Sequence, residues 1–526
     1  MFFLYKVYSG IDLCFFLFPM RFLSFFVCIN GLAIMAIEMA ASRYLAPYFG
    51  SSTIVWANII GVIMCALALG YFVGGKLADR FPTKAAFYMS ALIGSIVIAF
   101  IPLLVDTAVL PIAGNVLRVP FWEVLGSFIV ALIFFGIPIS FLAVLSPYAV
   151  RIANSEVGCV GSITGKLYAW GTIGSVMGVY VSTFLTIPYL GVRETIWGCA
   201  MVLFLLASIG IGMTYVKKYM LLAIFLFFGA ISASFLVRSA HATLVQKVLA
   251  EKETLYQYVR VVENKEGVRY MIFNEGGGIQ SVYDPNKILT GFYYDYYPLF
   301  QYEKTIIPKK HLSVLVIGYA GGTIGKLFHS MSASGTTVQI DGVEIDEEVS
   351  ALSMKYMGVT AEERTMYTQD GRSFLKEHDD KKYDIIIVDA YTREQYIPPH
   401  LITKEFFQEV AQHLTAEGMM LLNINAQSKD SLLLKTTVAT VHEVLPSVQV
   451  YGIAGSYNYI IRAGHHSHQW EAQQLQEIFQ PLLKKVQTSE IAFDISGYSP
   501  IFTDNKNNVE QLTNSDIWAV LQHRLQ

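Results

Sequence analysis

Val314-Leu315-Val316-Ile317-Gly318-Tyr319-Ala320-Gly321-Gly322-Thr323 is an apolar run that stops on a glycine turn. A short apolar run bounded by glycine reads as a buried strand, and the stretch after Thr323 reads as a helix. Glycines at such a junction let the backbone pass close to a ligand and aim amide N–H groups at it. Working outward, Leu312 to Ile317, Thr337 to Ile345, Ile385 to Asp389 and Met419 to Asn425 read as strands with helical stretches between them. That alternation predicts a doubly wound, Rossmann-like α/β domain with a parallel sheet, whose ligand site lies at the carboxyl ends of the strands.

The residues that carry chemistry stand at those strand ends. Glu344, in Val343-Glu344-Ile345-Asp346, lies 26 positions after Gly318, near the spacing at which a carboxylate accepts hydrogen bonds from ribose hydroxyls. Asp370, in Gln369-Asp370-Gly371-Arg372-Ser373-Phe374-Leu375, is placed to accept from an adenine amine, and Asp389 ends a buried strand where the reactive end of a ligand would lie. The turn lacks the G-x-G-x-x-G order of a dinucleotide site, which favours an adenosyl cofactor with one nucleoside over NAD.

Before this domain, Tyr256 to Val262, Arg269 to Phe273 and Ile279 to Val282, with Gly276-Gly277-Gly278 as a turn, predict a small antiparallel sheet. Arg393 to His400 reads either as a lid over the site or as an ordinary surface loop. His465-His466-Ser467-His468 lacks a neighbouring carboxylate or cysteine pattern and reads as a solvated turn, so no metal is expected. No nucleophile elbow, Walker loop or zinc signature is present.

The first half of the chain is of another kind. Of 526 residues, 54% are hydrophobic and 15% charged, too apolar for a wholly soluble protein. Residues 1 to 244 hold 13 Lys/Arg against 7 Asp/Glu, and the remainder 25 against 34. The acidic second half argues against nucleic-acid binding, which needs a basic face. All five cysteines (Cys14, Cys28, Cys65, Cys159, Cys199) fall in the first half, at no metal-ligand spacing.

A membrane helix needs about 20 mostly apolar residues. Seven runs qualify, near 22 to 42, 54 to 75, 86 to 106, 123 to 146, 167 to 189, 195 to 214 and 219 to 237. Lys76, Arg80, Lys84, Arg151, Lys166, Lys217 and Lys218 mark cytoplasmic loops and put the N-terminus inside. Seven crossings would leave the second half outside, whereas a cytosolic cofactor requires it inside. A re-entrant segment between Thr107 and Pro120 is one resolution. Glu38, deep in the first run, reads as a substrate or proton contact or as a structural partner for a basic group such as Arg43. Gly161, Gly165, Gly171, Gly174 and Gly178 predict close helix packing. Gly74-Gly75-Lys76-Leu77-Ala78-Asp79-Arg80 resembles the basic loop of major-facilitator transporters, although seven spans are too few for that fold.

The order of motifs in the second half resembles the spermidine synthase family of aminopropyltransferases. Tyr256-Gln257, Gly278-Ile279-Gln280, the glycine turn, Val343 to Asp346, Asp370 to Leu375 and Tyr383 to Asp389 stand where that family has YQ, DGxxQ, GGGDGG, VEID, DGRxFL and YDVIIVD. Tyr168-Ala169-Trp170 and Phe502-Thr503-Asp504-Asn505 resemble elements of bacterial membrane-fused spermidine synthases. The resemblance implies a small β-domain followed by a class I methyltransferase-like fold. It implies a cofactor, decarboxylated S-adenosylmethionine or S-adenosylmethionine, held by Gly318, Gly321, Gly322, Glu344, Asp370 and Gln280. It also implies a polyamine or other small-molecule acceptor at Gln257, Asp389 and Tyr391, with Asp389 catalytic. The sequence departs from the family at Thr392, where the second aspartate of DSSD belongs, and at Gly321, where the turn has aspartate. Asp284, Asp295 and Glu394 are candidates for the missing carboxylate.

The expected organisation is a polytopic helical membrane domain over 1–240, a small β-domain over 250–300 and an S-adenosyl-cofactor-binding α/β domain over 305–526. The function expected is membrane-bound aminopropyl transfer to a polyamine. The alternatives are a methyltransferase of the same fold and a non-catalytic polyamine- or nucleoside-binding transporter or sensor. The expected setting is a bacterial inner membrane with the second half cytoplasmic; the lipid bilayer is the expected partner, and a homo-oligomer is one option.

Overall fold

The structure is a computed structural model that describes residues 2–49, 53–108, 120–153, 160–212, 220–241, 247–274, 278–304, 306, 309–360, 365–391, 396–467, 469–471, 475–495, 498 and 500–516. The chain divides into two compact units, Met1–Leu244 and Val245–Gln526.

Among the described residues of the first unit, six helices are long and apolar enough to cross a membrane: Arg21–Ala46, Ile54–Arg80, Lys84–Val105, Leu125–Ala153, Val160–Leu190 and Val192–Gly212. This corrects the count of seven. The seventh run lies on the helix Met220–His241, which is not among these six. Of the segment offered as re-entrant, 109–119 lies outside the described residues. Between the first and fifth spans, helices meet backbone to backbone. A methyl group on Gly174 would lie 1.9 Å from the Cys28 carbonyl oxygen, and one on Gly178 would lie 2.3 Å from that of Leu32. Gly161 and Gly165 face open space instead, so only part of the expected stripe packs. Asp79 pairs with Arg151 at 3.2 Å, joining the basic loop to the end of the fourth span.

The second unit begins with a four-stranded antiparallel sheet of β1 (Lys247–Glu253), β2 (Tyr258–Glu263), β3 (Arg269–Phe273) and β4 (Gly278–Tyr283), paired in that order. β1 escapes sequence reading because Lys247, Glu251, Lys252 and Glu253 give it the polar character of an edge strand. In β4 the ladder skips Gln280: Met271 faces Ser281 and Ile272 faces Ile279. Such a bulge re-aims the side chain it carries.

The main sheet has eight strands: β5 (His311–Ile317), β6 (Thr337–Glu344), β7 (Thr365–Thr368), β8 (Tyr383–Val388), β9 (Leu414–Asn425), β10 (Ser447–Gly452), β11 (Asn458–Gly464) and β12 (Glu490–Ile491). Their order is β12-β10-β11-β9-β8-β5-β6-β7. From β7 to β9 all neighbours are parallel, with β11 antiparallel to β9 and β10 antiparallel to β11. The sheet is therefore mixed, which corrects the all-parallel expectation. β11 hides from a hydropathy reading because it carries Arg462, which is buried and bonded through Nε and Nη2 to equally buried Glu303. β7 is four residues long and only half-buried. Helices α1 (Thr323–Met331), α2 (Glu347–Tyr356), α3 (Gly371–Glu377), α4 (Lys404–Gln412), α5 (Leu432–His442) and α6 (Gln480–Ser489) follow strands as in a doubly wound fold. β8, buried at every position, separates two hydrophobic cores on opposite faces of the sheet. The chain leaves β5 toward β6 on one side and has β8 on the other, so the topological switch point lies at the carboxyl ends of β5 and β8.

Candidate functional site

Gly318 leaves β5 with φ +86°, a conformation that a side chain strains. A Cβ there would lie 2.4 Å from the Asp389 carbonyl oxygen, so the β5 turn and the end of β8 touch through bare backbone. The Gly318 and Tyr319 N–H groups both donate to the Val343 carbonyl, which ties the turn to β6. Gly321 donates its N–H to Ser281 Oγ at 2.8 Å, and Thr323 exchanges hydrogen bonds with the Val282 backbone. β4 thus lies against the turn. Gly322, at φ +81°, is the residue before α1.

Glu344, the last residue of β6, is buried, and its two oxygens accept from Ala320 N–H at 2.9 Å and Asp346 N–H at 3.2 Å. Burial pushes this carboxyl up to about 7, the two N–H groups pulling the other way. Each oxygen keeps a further lone pair for a ligand hydroxyl. Asp346 caps α2 and accepts from Thr254 Oγ1 at 2.5 Å, and Thr254 also accepts from the N–H groups of Tyr256 and Gln257. The segment holding Gln257 is therefore fixed to the same strand end as Glu344, and Gln257 itself is half-buried. Gln280 is half-buried on the β4 bulge, one residue before Ser281.

Asp370 caps α3, with Oδ1 accepting from the N–H groups of Arg372 and Ser373 at 3.0 Å and Oδ2 lying 2.7 Å from His400 Nε2. Burial raises this carboxyl, but the His400 contact and the two N–H groups outweigh it and hold it at about 2. Beside it, Gln369 Nε2 is buried with no hydrogen-bond partner. Arg372 is gripped by Glu409 at 2.9 Å and Asp504 at 2.7 Å, and Asp504 also accepts from Thr403 Oγ1. Asp504, noted in the sequence as part of a terminal element, thus braces the Asp370 turn.

Asp389 follows β8 directly. Asn423 Nδ2, from β9, donates to it at 2.9 Å and the Tyr293 hydroxyl at 3.0 Å. Burial pushes its carboxyl up to about 6 against the pull of Asn423, Tyr293 and Tyr297, while part of the residue still reaches solvent. The Tyr297 hydroxyl faces the same carboxyl but is buried without an aligned hydrogen bond, and so is Asn423 Oδ1. Tyr391 is anchored to β9, donating to the Asn423 carbonyl at 2.9 Å and accepting from Asn425 N–H at 3.1 Å.

Of the three candidates for an extra carboxylate, Asp295 is buried and accepts from Thr290 N–H, Thr290 Oγ1 and Gly291 N–H at 2.8–2.9 Å. Asp284 caps a turn through Asn286 N–H. Glu394 and Thr392 lie outside the described residues, as do Gly276, Gly277, His468 and the first part of the Arg393–His400 segment. The described remainder is tied down: Asn507 Nδ2 donates to the Pro399 carbonyl, and Tyr396 bonds Asn514. Sequence reasoning missed Tyr297, Asn423, Ser281 and Thr254 as site residues. The usable signals were asparagines inside the apolar run Leu421-Leu422-Asn423-Ile424-Asn425 and the density of tyrosine before β5.

Residues 301–458 match the Spermine/spermidine synthase domain family. The chain is 32% identical over 195 residues to a protein named "Probable polyamine aminopropyl transferase" from Bifidobacterium longum, a match covering 36% of this chain and 41% of that one. It is 29% identical over 187 residues to the polyamine aminopropyltransferase of Vibrio vulnificus, covering 35% and 60%. The chain thus spans about half the length of these curated relatives. A structure titled as a probable spermidine synthase from Corynebacterium glutamicum is similar over 51% of this chain and 99% of its own, at 14% identity and a TM-score of 0.39. The second half of the chain is thus similar to the spermidine synthases and polyamine aminopropyltransferases.

Proposed function

We propose that the second unit binds an adenosyl sulfonium cofactor at the switch point and transfers its aminopropyl group to an amine. The observation that carries this reading is Asp389, a partly buried carboxylate at the end of β8 that is held by Asn423 and Tyr293 and touches the glycine turn through Gly318. When bound, the cofactor supplies an electrophilic carbon beside a thioether leaving group. Glu344 would accept from its ribose hydroxyls. Asp370 with the unpaired Gln369 Nε2 offers an acceptor and a donor side by side, as an adenine edge requires. Asp389 would hold the cationic nucleophile and take the proton it must lose before its lone pair can attack. The matched family and relatives support aminopropyl transfer as the reaction class.

The first unit would anchor the enzyme in a bilayer. Six crossings that start inside, as the loop Lys/Arg residues favour, return the chain to the cytoplasmic side.

The test is incubation of purified full-length protein with either decarboxylated or intact S-adenosylmethionine and an amine panel. Methylthioadenosine and an aminopropylated amine formed from the decarboxylated cofactor are expected. Methyl transfer from intact cofactor, with no reaction of the decarboxylated one, would assign the site to the methyltransferase alternative.

A further inference from the structure

An acceptor that carries two or more ammonium groups needs more than one carboxylate, because an unpaired ammonium in a desolvated site costs several kcal/mol. The described surroundings of Asp389 supply one. Glu344 is committed to the glycine turn and Asp370 to the start of α3 and to His400. Asp295 is saturated by three donors, and Asp284 is tied to its own turn. What surrounds Asp389 instead is aromatic and neutral: Tyr293, whose ring stands 4.2 Å from that of Tyr294 and 6.1 Å from that of Tyr297, together with Tyr391 and Asn423.

Two atoms in this cluster are unexplained by the protein alone. Asn423 points Nδ2 at the Asp389 carboxylate, an acceptor-only group, which fixes Oδ1 as a free acceptor, and that oxygen is buried with no partner. The Tyr297 hydroxyl is likewise buried without an aligned bond. Buried polar atoms are rarely left unpaired, and such orphans mark an absent ligand or ion. One carboxylate oxygen, one amide oxygen and one hydroxyl oxygen match the three N–H donors of a single primary ammonium.

Resting on the aminopropyl-transfer reading, we propose that the acceptor is a primary amine with a single cationic nitrogen and an apolar remainder, its ammonium held by Asp389, Asn423 Oδ1 and Tyr297. The rest of such a molecule would lie against the tyrosine rings, where a second ammonium would find no described carboxylate. In the reaction the ammonium gives one proton to Asp389. Its nitrogen then forms the C–N bond to the carbon beside sulfur while the C–S bond breaks with its electron pair onto sulfur, leaving neutral methylthioadenosine and a protonated secondary amine.

The full-length protein with decarboxylated S-adenosylmethionine is given matched pairs of equal chain length: butylamine against putrescine, and hexylamine against 1,6-diaminohexane. The expected result is kcat/KM at least about tenfold higher for the monoamine of each pair, since each 1.4 kcal/mol of lost pairing is a factor of ten. Equal rates or a preference for the diamine would overturn this inference and leave the aminopropyl-transfer reading standing. No transfer to any amine, in a preparation that binds the decarboxylated cofactor, would overturn both. As an independent check, Asn423→Leu should raise KM for the monoamine while the dissociation constant of the cofactor stays unchanged. An unchanged KM would remove Asn423 from the ammonium site.

Discussion

A Cβ placed on Gly318 would stand 2.4 Å from the carbonyl oxygen of Asp389, so the end of β5 and the end of β8 are locked at backbone distance. Because Asp389 carries the carboxyl assigned to the amine and the Gly318 turn runs into the Glu344 contact, one close approach sets the geometry of both ends of the site.

Gly318→Ala should therefore damage stability and binding together. At φ +86° an alanine is strained, and its methyl group cannot clear the Asp389 backbone without separating the two strand ends. A loss on the order of 2 to 4 kcal/mol is expected. Chemical denaturation of the full chain, followed by a probe in the second unit, measures it, and an unaltered midpoint would show that the strand ends can part freely.

Glu344→Gln separates stability from function. Burial pushes the folded carboxyl up to about 7 because it penalises the charge, whereas in the unfolded chain the group titrates near 4.5. A raised carboxyl stabilises the fold below the unfolded value, and that contribution disappears as pH rises through 4.5 to 7. At pH 8 the wild type thus carries a penalty on the order of 3 kcal/mol that the neutral glutamine avoids. The variant should melt higher than wild type at pH 8 and show little gain at pH 4.5, yet bind the cofactor more weakly because the amide offers one acceptor oxygen in place of two. A lower melting temperature at pH 8 would contradict the burial argument.

How much of this was legible depends on whether the signal is local. Gly318, Glu344, Asp370 and Asp389 stand at the ends of apolar runs in regular alternation, so a linear reading finds them. Asn423 and Asp389 are 34 positions apart and meet because β9 pairs with β8, and no local pattern marks such a pair. The missed strands have the same origin. β11 carries a charge, Arg462, in a dry environment where Glu303 pairs with it, and a charge inside a short run interrupts the apolar signal of a strand.

Asp389→Asn tests the proton step. With its carboxyl at about 6, the wild type should lose transfer activity as pH falls through that value, because the protonated acid neither pairs with an ammonium nor accepts its proton. The asparagine variant should keep the affinity for the cofactor and lose about a hundredfold or more in kcat, with the limb near pH 6 gone. Retention of that limb would assign it to another group.

Asp504→Asn asks whether the terminal Thr503-Asp504-Asn505 element acts on the site. Asp504 meets both terminal nitrogens of Arg372, at 2.7 and 2.8 Å, while Arg372 reaches the His400 carbonyl at 3.4 Å and donates its own N–H to Asp370. Loss of the charge should free the segment that carries His400 and weaken the 2.7 Å contact of that imidazole with Asp370. The Arg372 guanidinium holds the Asp504 carboxyl at about 2, so its contribution is present above the usual aspartate range and lost as pH falls toward 2. Asp504 is 44% exposed, and solvent screening limits the stability change to about 1 kcal/mol or less. The larger effect should appear in binding, as a cofactor dissociation constant raised about tenfold with kcat at saturation retained, because the variant alters the support of Asp370 and leaves Asp389 untouched. Isothermal titration alongside steady-state kinetics separates the two, and an equal fall in both quantities would place Asp504 in a general structural role.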